Sequence, residues 1–223
     1  MTDDLFYNED ELERSAYGRV LVTGIRKSGK TTCLATTAPG PVALINCDGP
    51  GAPIAAKRHG AKNLFIADVV SVDSWRRAVD GACKLAEDGK VNSIIVDTFT
   101  LLINNVLTLE FTEKFSGFEI WRNVLNDGLR GLHKLINAPA HLFVVCHSTL
   151  EDGQLALNGA LKEQVPAMVH DIAHFEFDPK KDPSRMLHLG PSASGMTGSR
   201  FSDENKTIEG DARLLLAELG FAD

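Results

Sequence analysis

The stretch Gly24-Ile25-Arg26-Lys27-Ser28-Gly29-Lys30-Thr31 has the pattern G-x-x-x-x-G-K-T and follows the apolar run Val20-Leu21-Val22. This pattern, placed directly after a buried strand, predicts a P-loop that opens into a helix. Backbone N–H groups of such a loop converge on a polyphosphate, and the helix N-terminus adds a partial positive charge. The sequence therefore predicts a site for nucleotide phosphates, formed by Gly24, Ile25, Arg26, Lys27, Ser28, Gly29, Lys30, Thr31 and Thr32.

Two residues of the P-loop and one distant carboxylate indicate the chemistry of this site. Lys30 is expected to reach the β- and γ-phosphates, and the Thr31 hydroxyl is expected to bind Mg²⁺. The apolar run Ser93-Ile94-Ile95-Val96 ends in Asp97. An acid at the end of such a strand holds Mg²⁺ opposite the P-loop threonine. We therefore expect a metal site formed by Thr31 and Asp97.

The composition limits the class of protein. A chain of 223 residues that is 43% hydrophobic predicts one α/β domain with a full core. The net charge of −7 excludes a uniformly basic DNA-coating surface, so contact with nucleic acid would need a local patch. Four widely spaced cysteines without a C-x-x-C pair indicate reduced, mostly buried thiols of a cytosolic protein. No apolar run is long enough to span a bilayer, and we expect no membrane partner.

Residues 1–17 differ from the rest of the chain because they are strongly acidic. They contain six carboxylates and a single basic residue, Arg14. This composition predicts a solvated leader, followed by one folded domain over residues 18–223. The alternative is that the apolar stretch Leu5-Phe6-Tyr7 is a short tag that docks on a neighbouring subunit.

The remaining chain alternates short apolar runs with amphipathic segments. Apolar runs without alternation are typical of parallel strands that are buried on both faces. Two later strand-like runs flank a turn with two prolines, which predicts a C-terminal β-hairpin. We therefore expect an α/β fold with a doubly wound, mostly parallel sheet. The predicted strands are residues 19–23, 41–46, 63–67, 91–96, 141–146, 172–177 and 186–189, and the predicted helices are residues 30–38, 73–87, 101–110, 121–136 and 211–219.

The predicted strand ends place further polar side chains near the P-loop, because ligands of such sheets lie at the carboxyl ends of the strands. Asp48 follows the second strand and is the candidate to orient and deprotonate an attacking water. The alternative is an Asp-Gly turn that only closes the strand. His147 follows the fifth strand and is a candidate sensor of the γ-phosphate, unless it is an ordinary structural histidine.

Two segments are candidate loops at the ligand-facing edge. Residues 111–118 combine aromatic and basic side chains, which can stack on and neutralise single-stranded nucleic acid, and the candidates there are Lys114, Phe115 and Phe118. The alternative is that these aromatic residues belong to the core at a helix junction. Residues 148–164 form a long stretch with little periodicity, and such stretches are often functional loops.

The most concentrated basic cluster consists of Lys180, Lys181 and Arg185, and Arg200 follows it. Basic residues far from their own P-loop can act on the nucleotide of the next subunit, as an arginine finger does. They can also bind DNA phosphates. A solvated hairpin tip is the third interpretation.

Taken together, residues 17–201 resemble the RecA-like P-loop ATPases, and within them the small phage-encoded single-strand annealing recombinases. The resemblance rests on the P-loop at residues 24–31, the strand and acid at residues 41–49, and the runs at residues 94–98 and 142–147. A later part also fits the resemblance: residues 162–166, Asp171, Lys180, Lys181, Arg185 and residues 198–201.

The resemblance implies a Mg²⁺-dependent ATPase that acts on single-stranded DNA in phage recombination or annealing, in the cytoplasm of the bacterial host. It places Asp48 where the family has an acidic general base, usually glutamate, and His147 where the family has its sensor. It places residues 111–118 and 148–164 after the strands that precede the two DNA-binding loops. Lys180 and Lys181 lie near the lysines that reach a neighbour's γ-phosphate, which implies self-association into a filament or ring.

Two other functions also fit the P-loop. The first is a small-molecule or nucleoside kinase, for which Arg76 and Arg77 are the only adjacent arginines and lie on a predicted surface helix. The second is a nucleotide-dependent interaction switch that scarcely hydrolyses ATP, which the short acid at position 48 permits. Measuring phosphate release with and without single-stranded DNA, and phosphate transfer to nucleosides, separates the three functions. Stimulation by DNA favours the recombinase, phosphorylation of an acceptor favours the kinase, and neither result favours the switch.

Overall fold

The computed structural model describes residues 16–149, 154–190, 197–200 and 204–221. Within this part of the chain a nine-stranded sheet has the order β3-β2-β4-β5-β1-β6-β7-β9, and β8 pairs with β6. The strands are β1 (Arg19–Thr23), β2 (Val42–Asn46), β3 (Leu64–Asp68), β4 (Ser93–Asp97), β5 (His141–Val145), β6 (Asp171–Phe177), β7 (Arg185–Leu189), β8 (Gly198–Ser199) and β9 (Lys206–Glu209).

The six strands from β3 to β6 pair in parallel, which confirms the predicted α/β fold with a mostly parallel sheet. β1, β2, β4 and β5 are buried along their whole length. Their continuous apolar runs are explained by two hydrophobic clusters, one on each face of the sheet. Trp75 lies in the first cluster, and Leu34 and Leu215 lie in the second.

Helices cover both faces of this sheet. They are α1 (Lys30–Thr37), α2 (Gly51–Arg58), α3 (Val72–Glu87), α4 (Phe99–Leu101), α5 (Thr108–Lys114), α6 (Phe118–Ile136), α7 (Leu161–Met168) and α8 (Ala212–Glu218), with a π-helical segment, Leu102–Leu107, between α4 and α5. The predicted C-terminal hairpin is confirmed, because β6 and β7 are antiparallel with Phe177 opposite Arg185. β9 extends this hairpin on its outer side.

The two predicted loops are partly wrong. Residues 111–114 belong to α5 and Phe118 begins α6, so that the connection is only residues 115–117. The aromatic residues there lie on helices, where Phe111 is buried and packs against the Phe115 ring. α7 begins at Leu161, inside the second predicted loop. It was not predicted because Pro166 lies within it, and proline disfavours the interior of a helix. α2 was also missed, because its sequence contains Pro53 and only Ala56 is buried.

Residues 1–15, which include most of the predicted acidic leader, lie outside the described residues. Cys33, Cys47 and Cys146 are free and buried, and Cys83 is free and half-buried. Among the described residues, no helix is long and apolar enough to cross a membrane.

Two helical glycines predict opposite effects on stability. A Cβ on Gly131 in α6 would overlap the ring of Trp75, which is fully buried and donates from Nε1 to the Asp127 carbonyl at 3.1 Å. We expect Gly131→Ala to lower the free energy of unfolding by about 1–3 kcal/mol through overpacking. A Cβ on Gly81 in α3 would meet no other atom. Gly81→Ala is therefore expected to raise the free energy of unfolding by up to about 1 kcal/mol, because alanine has the higher helix propensity. Urea unfolding of both variants checks the contrast, and a stabilised Gly131→Ala variant would contradict the packing of α3 on α6.

Candidate phosphate and metal site

The predicted site residues meet at one edge of the sheet. The P-loop follows β1, Asp97 ends β4, His147 lies two residues after β5, and Asp48 lies two residues after β2. These strands are parallel and neighbours in the order β2-β4-β5-β1, so their carboxyl ends lie side by side. His147 therefore lies between the P-loop and Asp97 along this edge.

The P-loop backbone requires glycine at two positions. Gly24 has a φ of +152°, and a Cβ there would lie 2.5 Å from the Phe175 carbonyl oxygen on β6. Gly29 has a φ of +95° and precedes the first residue of α1. Because side chains are excluded at both positions, the loop curls closely over the N-terminus of α1.

Lys30 is held inside this loop. Its ammonium donates hydrogen bonds to the Gly24 carbonyl at 2.9 Å and the Ile25 carbonyl at 2.6 Å, and the residue is 4% exposed. Burial lowers the pKa of Lys30 to about 8, although the Asp97 carboxylate partly opposes this shift. The arrangement suits an ammonium that exchanges loop carbonyls for phosphate oxygens.

Thr31 and Asp97 are in direct contact across the edge. The Thr31 hydroxyl donates to Asp97 Oδ2 at 2.7 Å, and Asp97 is fully buried. Desolvation raises the pKa of Asp97 to about 6 and the nearby Asp48 carboxylate adds to the rise, whereas the Thr31 hydrogen bond and Lys30 oppose it. Asp97 Oδ1 is buried without a hydrogen-bond partner among the described residues. A buried carboxylate oxygen beside a threonine hydroxyl fits a hard divalent cation such as Mg²⁺.

Asp48 lies in an ordered turn and is exposed. Its backbone N–H donates to Asn46 Oδ1 at 3.2 Å, and the Asn46 amide donates to the Gly49 carbonyl at 2.8 Å. The next strand is tied to the same turn, because Cys47 N–H donates to the Asp97 carbonyl at 2.6 Å. The turn therefore places an accessible carboxylate beside the Asp97 strand end, where it can accept a proton from water.

His147 is buried with one ring nitrogen unused. Its backbone N–H donates to Thr100 Oγ1 at 2.9 Å, and its Nδ1 has no hydrogen-bond partner in the described part of the chain. Desolvation and the charges of Lys30 and Arg26 lower the pKa of His147 to about 4. The imidazole is therefore neutral near pH 7 and can form a hydrogen bond to an incoming group.

The chain after His147 turns back on itself. Thr149 N–H donates to the Gln154 carbonyl, and Ala156 N–H donates to the His147 carbonyl, both at 2.8 Å. Residues 150–153, between these contacts, lie outside the described residues. His147 is thus the first residue of a short antiparallel pairing between residues 147–149 and 154–156, so a ligand that contacts its ring also contacts this pairing.

The structure separates the four basic candidates of the C-terminal part. Lys180 is exposed, and Lys181 pairs with Glu176 at 2.8 Å. Arg200 donates from Nη2 to the Ala167 carbonyl at 2.5 Å. Arg185 alone lies against the P-loop of its own chain, beside Gly29.

The aromatic candidates lie at the α5–α6 junction. Phe118 is 78% exposed and Phe115 is 38% exposed, whereas Lys114 is paired with Glu110 at 2.6 Å. Glu110 Oε2 also accepts from the backbone N–H of Val72 at the start of α3, which follows β3. This contact places α5 at the carboxyl edge of the sheet.

Sequence reasoning missed the residues that position the site from neighbouring strands. Asn46 orders the Asp48 turn, and His174 Nδ1 lies 2.9 Å from Thr23 Oγ1 just before the P-loop. The His174 contact follows from the pairing of β1 with β6, which no local pattern reveals.

Within the described ranges, no group of three or more His, Cys, Asp and Glu side chains could hold a metal ion. A cation at this edge would take its protein oxygens from Thr31 and Asp97. Comparison with protein-family models finds none that matches the chain, and comparison with curated proteins finds no match.

Proposed function

We propose that this chain is a Mg²⁺-dependent ATPase of the RecA-like class that acts on single-stranded DNA in phage recombination or annealing. The observation that carries the ATPase part is the contact between the P-loop hydroxyl of Thr31 and the buried Asp97, with the Lys30 ammonium in the same loop. A bound Mg²⁺ would neutralise charge on the β- and γ-phosphates.

The protein groups then have separate tasks. The P-loop N–H groups and Lys30 bind and orient the phosphates. Asp48 accepts a proton from water as the water oxygen bonds to the γ-phosphorus, and the bond to the β–γ bridging oxygen breaks to release ADP. The shorter reach of aspartate compared with glutamate predicts slow basal turnover.

The neutral ring of His147 would contact the γ-phosphate. The antiparallel pairing of residues 147–149 with 154–156 begins at this residue, so loss of that contact alters the preferred position of the following segment. Nucleotide state would thus be coupled to affinity for DNA through a population shift. Subunits would assemble into a filament or ring with ATP between them.

The DNA part of the proposal is supported by the resemblance and by the exposed aromatic side chains at the carboxyl edge. Phe115, Phe118 and Trp121 are all exposed around residues 115–117. Aromatic rings stack on the bases of single strands without sequence preference.

The function is tested by phosphate release from ATP and Mg²⁺, with and without a single-stranded oligonucleotide. We expect stimulation by DNA, and we expect Phe118→Ala to raise the DNA concentration for half-maximal stimulation about tenfold through lost stacking. Phe65→Ala on β3 is the matched control, since Phe65 is also an exposed aromatic. Equal phosphate release with and without DNA would contradict the DNA part alone.

The two rival functions give different outcomes in the same assay. A nucleoside kinase would transfer phosphate to an added nucleoside, and a switch would bind ATP without turnover in either condition. Arg76 and Arg77 are poor candidates for a kinase lid, because they form ion pairs with Asp127 and Asp73 at 2.8 and 2.9 Å.

A further inference from the structure

Arg185 lies at the carboxyl edge of the sheet although it follows the hairpin turn. It is the first residue of β7 and is paired with Phe177 at the end of β6, which itself neighbours β1. Its side chain reaches the P-loop of the same chain. Nε lies 3.5 Å and Nη2 3.9 Å from the position that a Cβ would take on Gly29.

The structure shows no anionic partner for this guanidinium within the described ranges. Arg185 forms no ion pair or side-chain hydrogen bond among the described residues, and its Nε is buried without a partner. The acidic residues on either side of Gly210, Glu209 and Asp211, do not pair with it, although the Gly210 backbone packs against its Cβ. Arg185 as a whole is half-buried, and its guanidinium stays charged, but a buried N–H donor such as this Nε is costly to leave without an acceptor. The Nε donor beside Gly29 therefore has no competing acceptor among the described residues and can bind an anionic ligand.

The nearest place for that anion is the N-terminus of α1. Gly29 directly precedes Lys30, and the N–H groups of this turn are those that cradle the α- and β-phosphates in a P-loop. We propose that Arg185 contacts the phosphates of the nucleotide bound by its own subunit, next to Gly29. This proposal rests on the proposed nucleotide site, and it assigns Arg185 a role in cis, in contrast to the role in trans or on DNA expected from the sequence.

The position of Arg185 sets its energetic role. It lies beside the α- and β-phosphates, which ADP and ATP share, so its contribution is equal for both nucleotides. Charge-assisted hydrogen bonds of this type are worth enough to change affinity about 10–100-fold. An interaction made equally before and during the reaction changes binding and leaves turnover at saturating ATP nearly unchanged.

Calorimetric titration with Mg·ADP and Mg·ATP tests this inference. We expect Arg185→Ala to raise both dissociation constants by the same factor of about 10–100, and Arg185→Lys to raise them less. Arg213→Ala is the matched control, because Arg213 is an exposed arginine in the first turn of α8, and it should bind both nucleotides as the wild type does. Unchanged binding by Arg185→Ala overturns the inference alone, whereas wild-type protein that binds neither nucleotide overturns the proposed function as well.

Mixing Arg185→Ala, which binds ATP weakly, with Lys30→Ala, which turns ATP over slowly, distinguishes the cis role from the trans role. Arg185→Ala keeps Lys30, and Lys30→Ala keeps Arg185. With a cis role, the phosphate release of the mixture at low ATP equals the average of the two separate variants. A mixture that exceeds this average contradicts the inference, because one subunit would then supply Arg185 to the P-loop of another.

Discussion

Replacing Lys30 by alanine is expected to lower ATP turnover by about 10²–10³-fold, because the variant lacks the positive charge that stabilises the transferred phosphate. Lys30 is the only lysine whose ammonium hydrogen-bonds the P-loop carbonyls among the described residues. The loss should appear in the rate at saturating ATP as well as in binding.

The same change is expected to leave the fold intact. The two carbonyls that Lys30 contacts have other partners, since Gly24 O also accepts from Ser148 N–H at 3.0 Å and Ile25 O accepts from Ser28 Oγ at 2.9 Å. Alanine therefore leaves neither carbonyl unsatisfied. It also removes a buried charge whose desolvation is costly.

Phosphate release and urea unfolding of Lys30→Ala check both halves of the prediction. Lys57→Ala is the control, because Lys57 is an exposed lysine on α2. Turnover within a few-fold of the wild type would refute the assignment of the phosphate site. A collapse of stability would instead show that Lys30 holds the loop together.

The second large effect concerns the stability of the ligand-free protein. Burial raises the pKa of Asp97 from 3.8 to about 6, so that the folded state favours the protonated carboxyl. The favourable contribution of the protonated carboxyl is fully present below pH 3.8, the pKa of the unfolded chain. It is lost as the pH rises through about 6, the pKa of the folded protein. The ionised Asp97 then lowers the free energy of unfolding by about 3 kcal/mol at neutral pH.

Asp97→Asn removes this titration. We expect the stability of the variant relative to the wild type to increase by about 2 kcal/mol between about pH 4.5 and 7.5, since part of the change lies below that range. Urea unfolding in EDTA without nucleotide, at several pH values, measures this difference. A difference that does not vary with pH would contradict the buried, ionised state of Asp97.

Thr31→Val is a second variant for the same measurement. The Thr31 hydrogen bond opposes the rise in the pKa of Asp97, so removing it should extend the loss of stability to higher pH. Asp97→Asn and Thr31→Val should both weaken the stabilisation of the protein by Mg·ATP. The desolvation cost of the ionised Asp97 in the ligand-free protein would thus be offset when Mg·ATP binds, which is the proposed role of this carboxylate.

The sequence was sufficient for the elements whose signals are local. The P-loop depends on glycines and a lysine within eight residues, and Asp97 follows directly from an apolar strand. Strand β5 and helix α6 were predicted for the same reason, because their apolar patterns repeat within each element. Helices α2 and α7 were missed because proline and few buried residues weaken those patterns.

Neighbours across the sheet were decided only by the tertiary structure. The order β4-β5-β1 places His147 between Asp97 and the P-loop, and the β6–β7 hairpin returns Arg185 to Gly29 of its own chain. Such placements join residues that are 50 to 156 positions apart, and they depend on strand order and register, which hydrophobic periodicity does not encode. The amino-acid sequence by itself therefore determined the P-loop motif and the layered α/β class, whereas long-range packing decided which side chains share the candidate site.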